Sequence, residues 1–353
     1  MKKVLTTFVG MLICLISASF LFIKAQDREI EGQKEPVLIP ALIYHRITPK
    51  ALSIYDYTPE QLEGHLEYFR EHEYTPITAL QMVEMLAVPE KLPKKPVVLT
   101  FDDGHKSHYT AVFPLLKRYG YQGTFFVYPD VIAEKSEKQL TWDELRTMRR
   151  EGMDIQSHTK SHPYLTQAGK NQSPAEYHRW LRSEIYDSKR ILEEKLQQKV
   201  DLLAYPYGWF NQTIEAMAVQ AGYRGIFTVN WGVNSPAENP LRIKRRVMEN
   251  TMGQADLNEI LTAKPLPIEI IQPEDTARLR QAPVVKFKIT DPRIERVEIK
   301  VRSITGQLTK DQDGLFTWPG LIRSNPGYHM IVIRGFDPEN QPLINSWGFD
   351  YQK

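Results

Sequence analysis

Two adjacent carboxylates, Asp102 and Asp103, are the first residues of the chain whose position suggests chemistry. They follow a short apolar segment, residues 96–99 (PVVL), and Gly104 comes directly after them. If that segment is a buried parallel strand, the pair lies at its carboxyl end, where parallel α/β folds place their active sites. Neighbouring residues of extended chain point apart, so one carboxylate could bind a metal ion while the other acts as a general base. Taken alone, Asp-Asp-Gly is more often a solvated turn.

A second cluster, His158 and His162, follows another predicted strand, which includes residues 153–156 (MDIQ). Two histidines four residues apart, on a helical turn or a folded loop, can bind one ion. With one aspartate they supply three ligands and leave positions for water and substrate, as a hydrolytic metal requires. A histidine pair alone is often an ordinary polar loop, but the position of both clusters after strands favours a shared site. By contrast, His105 and His108 are expected on a solvated loop.

A third element, residues 204–208 (AYPYG), ends the segment that begins at Val200. Its ordinary interpretation is a proline turn with packed tyrosines. The functional interpretation is that the Tyr207 amide points at an oxyanion, while the rings of Tyr205 and Tyr207 form a groove wall for a sugar.

Short apolar segments alternate with amphipathic ones, which predicts strands followed by helices around a parallel sheet or barrel. Three hydroxyl residues, Thr58, Thr141 and Ser173, each precede a helix-like segment and have Gln or Glu three positions later, as in a capping box. The last of them is expected to begin a long charged helix that reaches about residue 198. The predicted strands are residues 37–44, 96–101, 123–128, 153–157, 200–205, 224–229 and 242–247.

The N-terminus indicates where the protein is located, and the charge balance limits the partners that it can bind. Lys2 and Lys3 precede an uncharged, mostly apolar run, residues 4–23, so residues 1–26 are expected to be a signal peptide or a membrane anchor. The chain is therefore expected to be secreted or held on a membrane outside the cytoplasm, with residues 27–36 as a linker. The 45 basic and 43 acidic residues give a net charge of only +2, without the strong positive excess of a polyanion-binding protein, which argues against a nucleic-acid partner. The oligomeric state stays open.

The sequence changes character from about Pro265, where prolines cluster before alternating segments such as residues 297–301 and 329–334. Turns that contain glycine and the lack of a helical period predict a small all-β sandwich at residues 263–353, which resembles an immunoglobulin-like or fibronectin-like domain. Residues 37–262 would then form the domain that carries the chemistry. Glycan binding, spacing from a membrane and docking to a partner are all open as the role of the smaller module.

Taken together, these motifs resemble the NodB-homology polysaccharide deacetylases, also called carbohydrate esterase family four. The similarity covers about residues 41–246 and includes residues 100–104 (TFDDG), 123–127 (GTFFV), 158–162 (HTKSH) and 206–208 (PYG), in that order. The resemblance implies a distorted, incomplete (β/α) barrel. It also implies a hydrolase that removes N-acetyl groups from a polysaccharide and releases acetate.

The same resemblance implies a role for each motif residue. Asp102 would be the general base. Asp103, His158 and His162 would bind a divalent metal ion, most often zinc. The backbone amide of Tyr207 would help to stabilise the tetrahedral oxyanion.

Two parts of the family pattern are missing from this chain. Ala204 stands where many members have the arginine that orients the base, and Arg245 is the candidate replacement, with Arg242 as second choice. The late Leu-x-x-His element that often supplies the general acid is also absent, and His45, at the end of the first predicted strand, is the candidate. Trp231 resembles the family's aromatic floor under the acetyl methyl group.

The Tyr-His element at residues 44–45 resembles one that marks a subgroup including poly-β-1,6-N-acetylglucosamine deacetylases. This polymer is therefore the expected substrate. Peptidoglycan or a chitin-like polymer is the alternative, since the motifs do not encode sugar linkage. A catalytically silent carbohydrate-binding protein would be a different class. The complete set of carboxylates and histidines argues against it, because a silent site has no need for them.

Overall fold

The computed structural model of the chain describes residues 36–133, 136–167, 172–301, 304–320 and 326–352. Residues 37–353 form one compact unit. The predicted leader, residues 1–26, lies outside the described residues, as does nearly all of the predicted linker. Within the described part of the chain, no helix is both long enough and apolar enough to cross a bilayer.

The larger part of this unit is built on an eight-stranded parallel sheet. Its order is β7-β6-β5-β4-β3-β1-β8, and the short β2 also pairs with β3. Each of the seven predicted strands overlaps one of these strands. The missed one, β2, has only three residues and a central proline, a poor strand signal. The strands are β1 (Ala41–Tyr44), β2 (Thr75–Ile77), β3 (Pro96–Asp102), β4 (Thr124–Val127), β5 (Asp154–Ser157), β6 (Leu202–Ala204), β7 (Gly225–Phe227) and β8 (Arg246–Val247).

Helices follow most of these strands, as predicted. The capping boxes at Thr58, Thr141 and Ser173 are confirmed, because each hydroxyl accepts a hydrogen bond from the backbone three residues on. The long charged helix is also confirmed, since a wider turn at Ser183–Asp187 joins α6 to α7. The helices are α1 (Pro59–Glu71), α2 (Ala79–Leu86), α3 (Phe113–Tyr119), α4 (Pro129–Ala133), α5 (Trp142–Arg150), α6 (Pro174–Arg182), α7 (Ser188–Leu196), α8 (Gln212–Gln220) and α9 (Gln254–Thr262). Shorter helical turns lie at Pro89–Lys91, His108–Val112, Pro206–Gly208 and Pro240–Arg242.

The sheet curves into an incomplete barrel with a packed interior. Every residue of β3 is buried, and Phe101 stacks on Phe125 of β4 with 5.0 Å between ring centroids. A bridge between Phe227 and Ile243 joins the segment that precedes β8 to β7. Each fully buried aromatic or aliphatic side chain of this kind contributes about 1.5–3 kcal/mol. The carboxyl ends of the strands are therefore held as one rigid edge.

The C-terminal part consists of two further sheets, as the sequence predicted. One has the order β10-β12-β16-β15 and the other β11-β18-β17-β13-β14, with β9 beside β18. They enclose a separate core in which Phe287 stacks on Phe316 at 5.2 Å and meets Trp347 at 6.2 Å. The strands are β9 (Lys264–Pro265), β10 (Ile268–Gln272), β11 (Arg278–Leu279), β12 (Val285–Ile289), β13 (Val297–Val301), β14 (Ile304–Gly306), β15 (Thr309–Lys310), β16 (Leu315–Trp318), β17 (Gly327–Phe336) and β18 (Pro342–Tyr351).

The C-terminal sheets pack directly against the barrel. The Asn211 amide donates to the Asp350 carboxylate over 3.3 Å, and Arg242 pairs with Asp275 at 2.9 Å. Both parts thus belong to the same compact unit. The domain boundary at residues 262 and 263 stays a prediction.

Candidate active site

The two carboxylates lie at the carboxyl end of β3 but in different environments. Asp102 is the last residue of the strand and is only 3% exposed. Asp103 follows with a backbone φ of 80°, in the left-handed region that few residues other than glycine adopt. Its amide still donates to the carbonyl of Phe126, at 3.1 Å. The chain thus turns sharply between the two residues, as expected if they have different roles.

Asp103, His158 and His162 converge on one point. One ligand atom from each lies within 4.8 Å of the other two. The Asp103 Oδ1 atom is 3.2 Å from Nε2 of His162 and 3.6 Å from Nε2 of His158. The same oxygen is buried and has no hydrogen-bond partner among the described residues. Three ligand atoms therefore face one shared space.

This donor set fits a divalent transition-metal ion. Zinc binds imidazole nitrogen and carboxylate oxygen at about 2.0–2.1 Å in a tetrahedral arrangement, which places neighbouring ligand atoms about 3.3 Å apart. The observed separations of 3.2 and 3.6 Å match that spacing. Burial alone would raise the pKa of Asp103, yet its histidine neighbours keep that pKa well below its ordinary value, so the carboxylate is ionised.

His158 is also prepared as a ligand by its surroundings. Its Nδ1 lies 2.8 Å from the carbonyl of Ala204, which can only accept, so Nδ1 carries the proton. The Nε2 lone pair is then free on the side of Asp103. Burial lowers the pKa of His158 to about 4, which keeps the ring neutral near pH 7. A neutral imidazole fixed by its second nitrogen is the usual form of a metal-binding histidine.

Asp102 is held by Arg245. The guanidinium donates to both carboxylate oxygens, Nη1 to Oδ1 and Nη2 to Oδ2, each over 2.9 Å. Arg245 is itself 0% exposed and donates through Nε to the carbonyl of Thr228 at 3.0 Å. Burial pushes the pKa of Asp102 upward, but the charge of Arg245 outweighs it and the pKa lies below its ordinary value. Asp102 is therefore an ionised carboxylate, and His158 Nε2 is 3.9 Å from its Oδ2.

The structure explains how Arg245 can stand in for an arginine at position 204. The bridge at Ile243 brings the segment that precedes β8 against β7, so Arg245 enters the barrel from that side. Its guanidinium lies 5.0 Å from the ring centroid of Phe126 and 5.9 Å from that of Phe227. These two phenylalanines belong to the same buried cluster as Ala204.

The second choice, Arg242, does not contact Asp102. Its guanidinium pairs with Glu215 at 2.7 Å and with Asp275 at 2.9 Å. It therefore supports the contact with the C-terminal sheets.

The two predicted sugar-contacting tyrosines are placed differently. Tyr207 is 45% exposed, has a φ of 58° and stacks on Tyr164 with 3.9 Å between ring centroids. The ring of Tyr205 is 0% exposed and stacks on Phe210 at 4.9 Å. Tyr207 can thus present its ring as a groove wall. Tyr205, directly after β6, borders the cavity from within the core.

His45 lies at the mouth of the site, directly after β1. Its Nδ1 is buried without a hydrogen-bond partner among the described residues, and its carbonyl lies 2.8 Å from Nε2 of His108. The expectation that His108 is solvated is wrong, because it is fully buried and burial lowers its pKa to about 3. His105 Nε2 lies 3.6 Å from Oδ2 of Asp103. Sequence reasoning missed the supporting position of His108 because its place in a charged loop gave no burial signal.

Comparison with known proteins gives the family. Residues 90–226 match the polysaccharide deacetylase family, and this region contains both clusters described above. This chain carries a polysaccharide deacetylase domain. The domain is that of a family of hydrolases that act on the amide bond of N-acetyl groups.

Several proteins share this deacetylase domain. The chain is 28% identical over 224 residues to YxkH of Bacillus subtilis, a protein named for the same family; the match covers 63% of this chain and 76% of YxkH. It is 24% identical over 272 residues to the poly-beta-1,6-N-acetyl-D-glucosamine N-deacetylase of Escherichia coli strain K12, with 66% of this chain but only 40% of that protein covered. The structure of the Streptococcus pyogenes deacetylase PplD in complex with acetate aligns with a TM-score of 0.58 at 29% identity. That alignment covers 64% of this chain and 99% of PplD.

A cavity of about 490 Å³ opens over the deacetylase site. Trp231, predicted to bind substrate, lines it. So do residues that sequence reasoning missed, Tyr55, Arg246, Glu249 and Met330. None of them belongs to a recognised motif, and Arg246, although adjacent to Arg245, gave no signal of its own. The remaining lining residues are Ile43, His45, Asp102, Asp103, His158, His162, Tyr205, Tyr207, Val229, Arg245 and Val247.

Proposed function

We propose that this chain removes N-acetyl groups from poly-β-1,6-N-acetylglucosamine outside the cytoplasm, with a divalent metal ion, most often zinc in this family, at Asp103, His158 and His162. The observation that carries the proposal is the position of this ligand set beside Asp102, an ionised carboxylate clamped by Arg245. A ligand set and a separate base within one cavity are what amide hydrolysis requires.

The chain's own residues account for most of the chemistry. A divalent ion at the three ligands would polarise the acetyl carbonyl and make a water molecule more acidic. Asp102 accepts the proton of the attacking water, because Arg245 keeps the carboxylate charged and correctly oriented. The backbone amide of Tyr207 is proposed to donate to the oxyanion as the tetrahedral centre forms.

The amine leaves only when its nitrogen gains a proton. His45 is the proposed donor, since it lines the cavity and its Nδ1 has no hydrogen-bond partner among the described residues. The contact of His108 with the His45 carbonyl holds the backbone at this position. The products are then acetate and a free hexosamine amine.

Three observations support the choice of substrate and location. One relative with this domain is a poly-β-1,6-N-acetyl-D-glucosamine N-deacetylase, and a similar solved deacetylase was crystallised with acetate, the product proposed for this chain. The apolar run at residues 4–23 after two lysines supports export, with residues 1–26 either cleaved or kept as a membrane anchor. Such a location would place the enzyme beside envelope or biofilm polysaccharide.

Acetate release from β-1,6-linked N-acetylglucosamine oligomers tests the proposal. The metal-free chain is assayed with added zinc, with cobalt and with chelator, beside D102N, whose amide cannot take the proton. Release that needs metal and is lost in D102N supports the proposal. Release only from peptidoglycan or chitin fragments would reject the chosen polymer, and no release from any of them by chain with bound metal would reject deacetylation.

A further inference from the structure

One residue that lines the deacetylase cavity, Met330, comes from the C-terminal sheets rather than from the barrel. Met330, on strand β17, is far from the motif residues in the sequence but lines the same cavity as they do. It lies between buried strand residues such as His329 and Ile331, so its position is set by the pairing of β17 with β18. A residue of the accessory module thus faces the substrate space.

Direct contacts join strands β17 and β18 to the loop after β7. The Trp231 amide points at the Met330 sulfur over 3.4 Å, and the Trp231 carbonyl accepts from the Ser346 hydroxyl at 2.6 Å. Tyr328 donates its hydroxyl to the Asn230 side-chain oxygen at 2.9 Å. The backbone of Trp231 is therefore held by strands β17 and β18 of the C-terminal module, and its side chain packs with Met330 against Val332 and Ile344 of the same strands.

Close packing further along the interface leaves little freedom for the module to move. A Cβ atom at Gly327 would come within 2.2 Å of the Trp209 ring. Gly327 also has a φ of 129°, a conformation that side-chain-bearing residues rarely adopt. The start of β17, at Gly327, therefore packs closely against Trp209 of the barrel, and Met330 follows three residues later.

Polar groups beside Met330 suit an uncharged sugar. The Arg246 guanidinium lies 4.6 Å from the Trp231 ring centroid, and its Nε is buried with no hydrogen-bond partner in the described parts of the chain. Glu249 also lines the cavity. One cation and one anion provide donors and acceptors without net charge, while the indole and the thioether offer apolar surface. This mixture fits the hydroxyls and C–H face of a neutral N-acetylhexosamine.

We propose that the C-terminal module completes the substrate cleft, with Met330 as a specificity-determining residue that contacts a sugar ring of the polysaccharide beside Trp231 and Arg246. The inference rests on the proposed deacetylation, but it assigns to the β module a role in substrate binding. Met330 contacts the sugar and not the acetyl group, so a small acetate ester does not sense it.

The test compares M330A and M330L with the wild-type chain on a β-1,6-N-acetylglucosamine pentamer and on p-nitrophenyl acetate. We expect M330A to raise KM for the pentamer roughly 5- to 10-fold with kcat within about twofold, since loss of one apolar contact acts on binding. Ester hydrolysis should stay unchanged. M330L retains the volume and should restore most of the affinity. I304A, on the exposed edge strand β14, is the matched control that alters the module away from the cleft.

Two further readouts separate the possible failures. Pentamer binding to D102N and to D102N/M330A, measured by calorimetry, reports the contact even without turnover, and the second chain should bind more weakly by the same factor. Equal affinity in this pair overturns the inference, as does an M330A defect of equal size on the ester. The absence of acetate release from the wild-type chain instead counts against the proposed function. Thermal melting of every variant identifies loss of folding.

Discussion

Replacement of Arg245 by methionine is the sharpest test of the catalytic geometry. The change keeps much of the side-chain volume but removes the two 2.9 Å hydrogen bonds to Asp102, which is 3% exposed. An unpaired buried charge costs about 3–5 kcal/mol. The carboxylate must bear that cost or take up a proton, and a protonated Asp102 cannot act as a base.

The expected loss follows from the role of the base. An oriented general base typically contributes about 100-fold or more, so a displaced and partly protonated Asp102 should lower kcat/KM at pH 7 by up to about 100-fold. Burial raises the pKa of Asp102, and Arg245 is the main cause that lowers it, so its removal moves the pKa upward. The acid side of the kcat/KM profile should therefore shift to higher pH, and R245M should recover part of its activity as the pH rises.

The assay is acetate release followed between pH 5 and 9 at saturating metal, with R242M as control. Arg242 lies three residues away and pairs with Glu215 and Asp275, so its loss affects stability but not the pH profile. If R245M loses less than threefold in kcat/KM and its acid side stays in place, Arg245 does not maintain the charge of the base, and the reasoning fails.

Three shorter predictions concern the metal site, acid stability and one glycine. D103A should lose stoichiometric zinc, measured by elemental analysis after gel filtration, whereas H105A should retain it; full zinc in D103A would exclude the proposed ligand set. Burial lowers the pKa of His65 from an unfolded value of 6.5 to about 4, so its stabilising effect is complete above pH 6.5 and is lost as the pH falls to 4, by about 3 kcal/mol in all. In urea unfolding of the metal-free protein, the free energy of unfolding should fall less steeply between pH 6.5 and 4 in H65Q than in the wild-type chain. An identical pH dependence in the two chains would contradict this. G208A should lower the free energy of unfolding by about 1–3 kcal/mol and with it the melting temperature. The reason is that Gly208 has a φ of 70° and the new Cβ would lie 2.2 Å from a methyl group of Val229. G64A, with nothing within 4 Å on α1, should be neutral or stabilising, and an equal effect of the two changes would refute the steric argument.

Much of the deacetylase fold could be predicted because its signals are local. Short apolar segments separated by capped amphipathic helices indicate a parallel sheet, and three capping boxes lie where the sequence placed them. The exception, β2, is a three-residue strand with a proline, too short for any periodicity to show. His108 was misjudged for a related reason, since local polarity does not reveal that a loop folds back over Phe101 and Phe125.

The convergence of Asp103, His158 and His162 was predictable because each motif follows a strand. Parallel strands end at one edge of the sheet, so Asp103 and the histidines after β5 were expected to meet there. Arg245 was the first candidate and Arg242 the second, because the family resemblance implied an arginine at the position of Ala204 and both lie on the last predicted strand. The structure adds the reason, since the segment before β8 closes on β7 and directs the guanidinium at Asp102.

The sequence by itself determined the residue types of the site, the strand ends that carry them and the presence of a second, all-β module. Only the tertiary structure decided that Tyr205 is buried while Tyr207 is exposed, and that Met330 borders the cavity. The physical reason is that the pattern of polar and apolar side chains reflects the surroundings of a single helix or strand. The approach of β17 to the loop after β7, about 100 residues apart in the chain, depends on the packing of two cores against each other, a sum of many weak contacts that no short motif encodes.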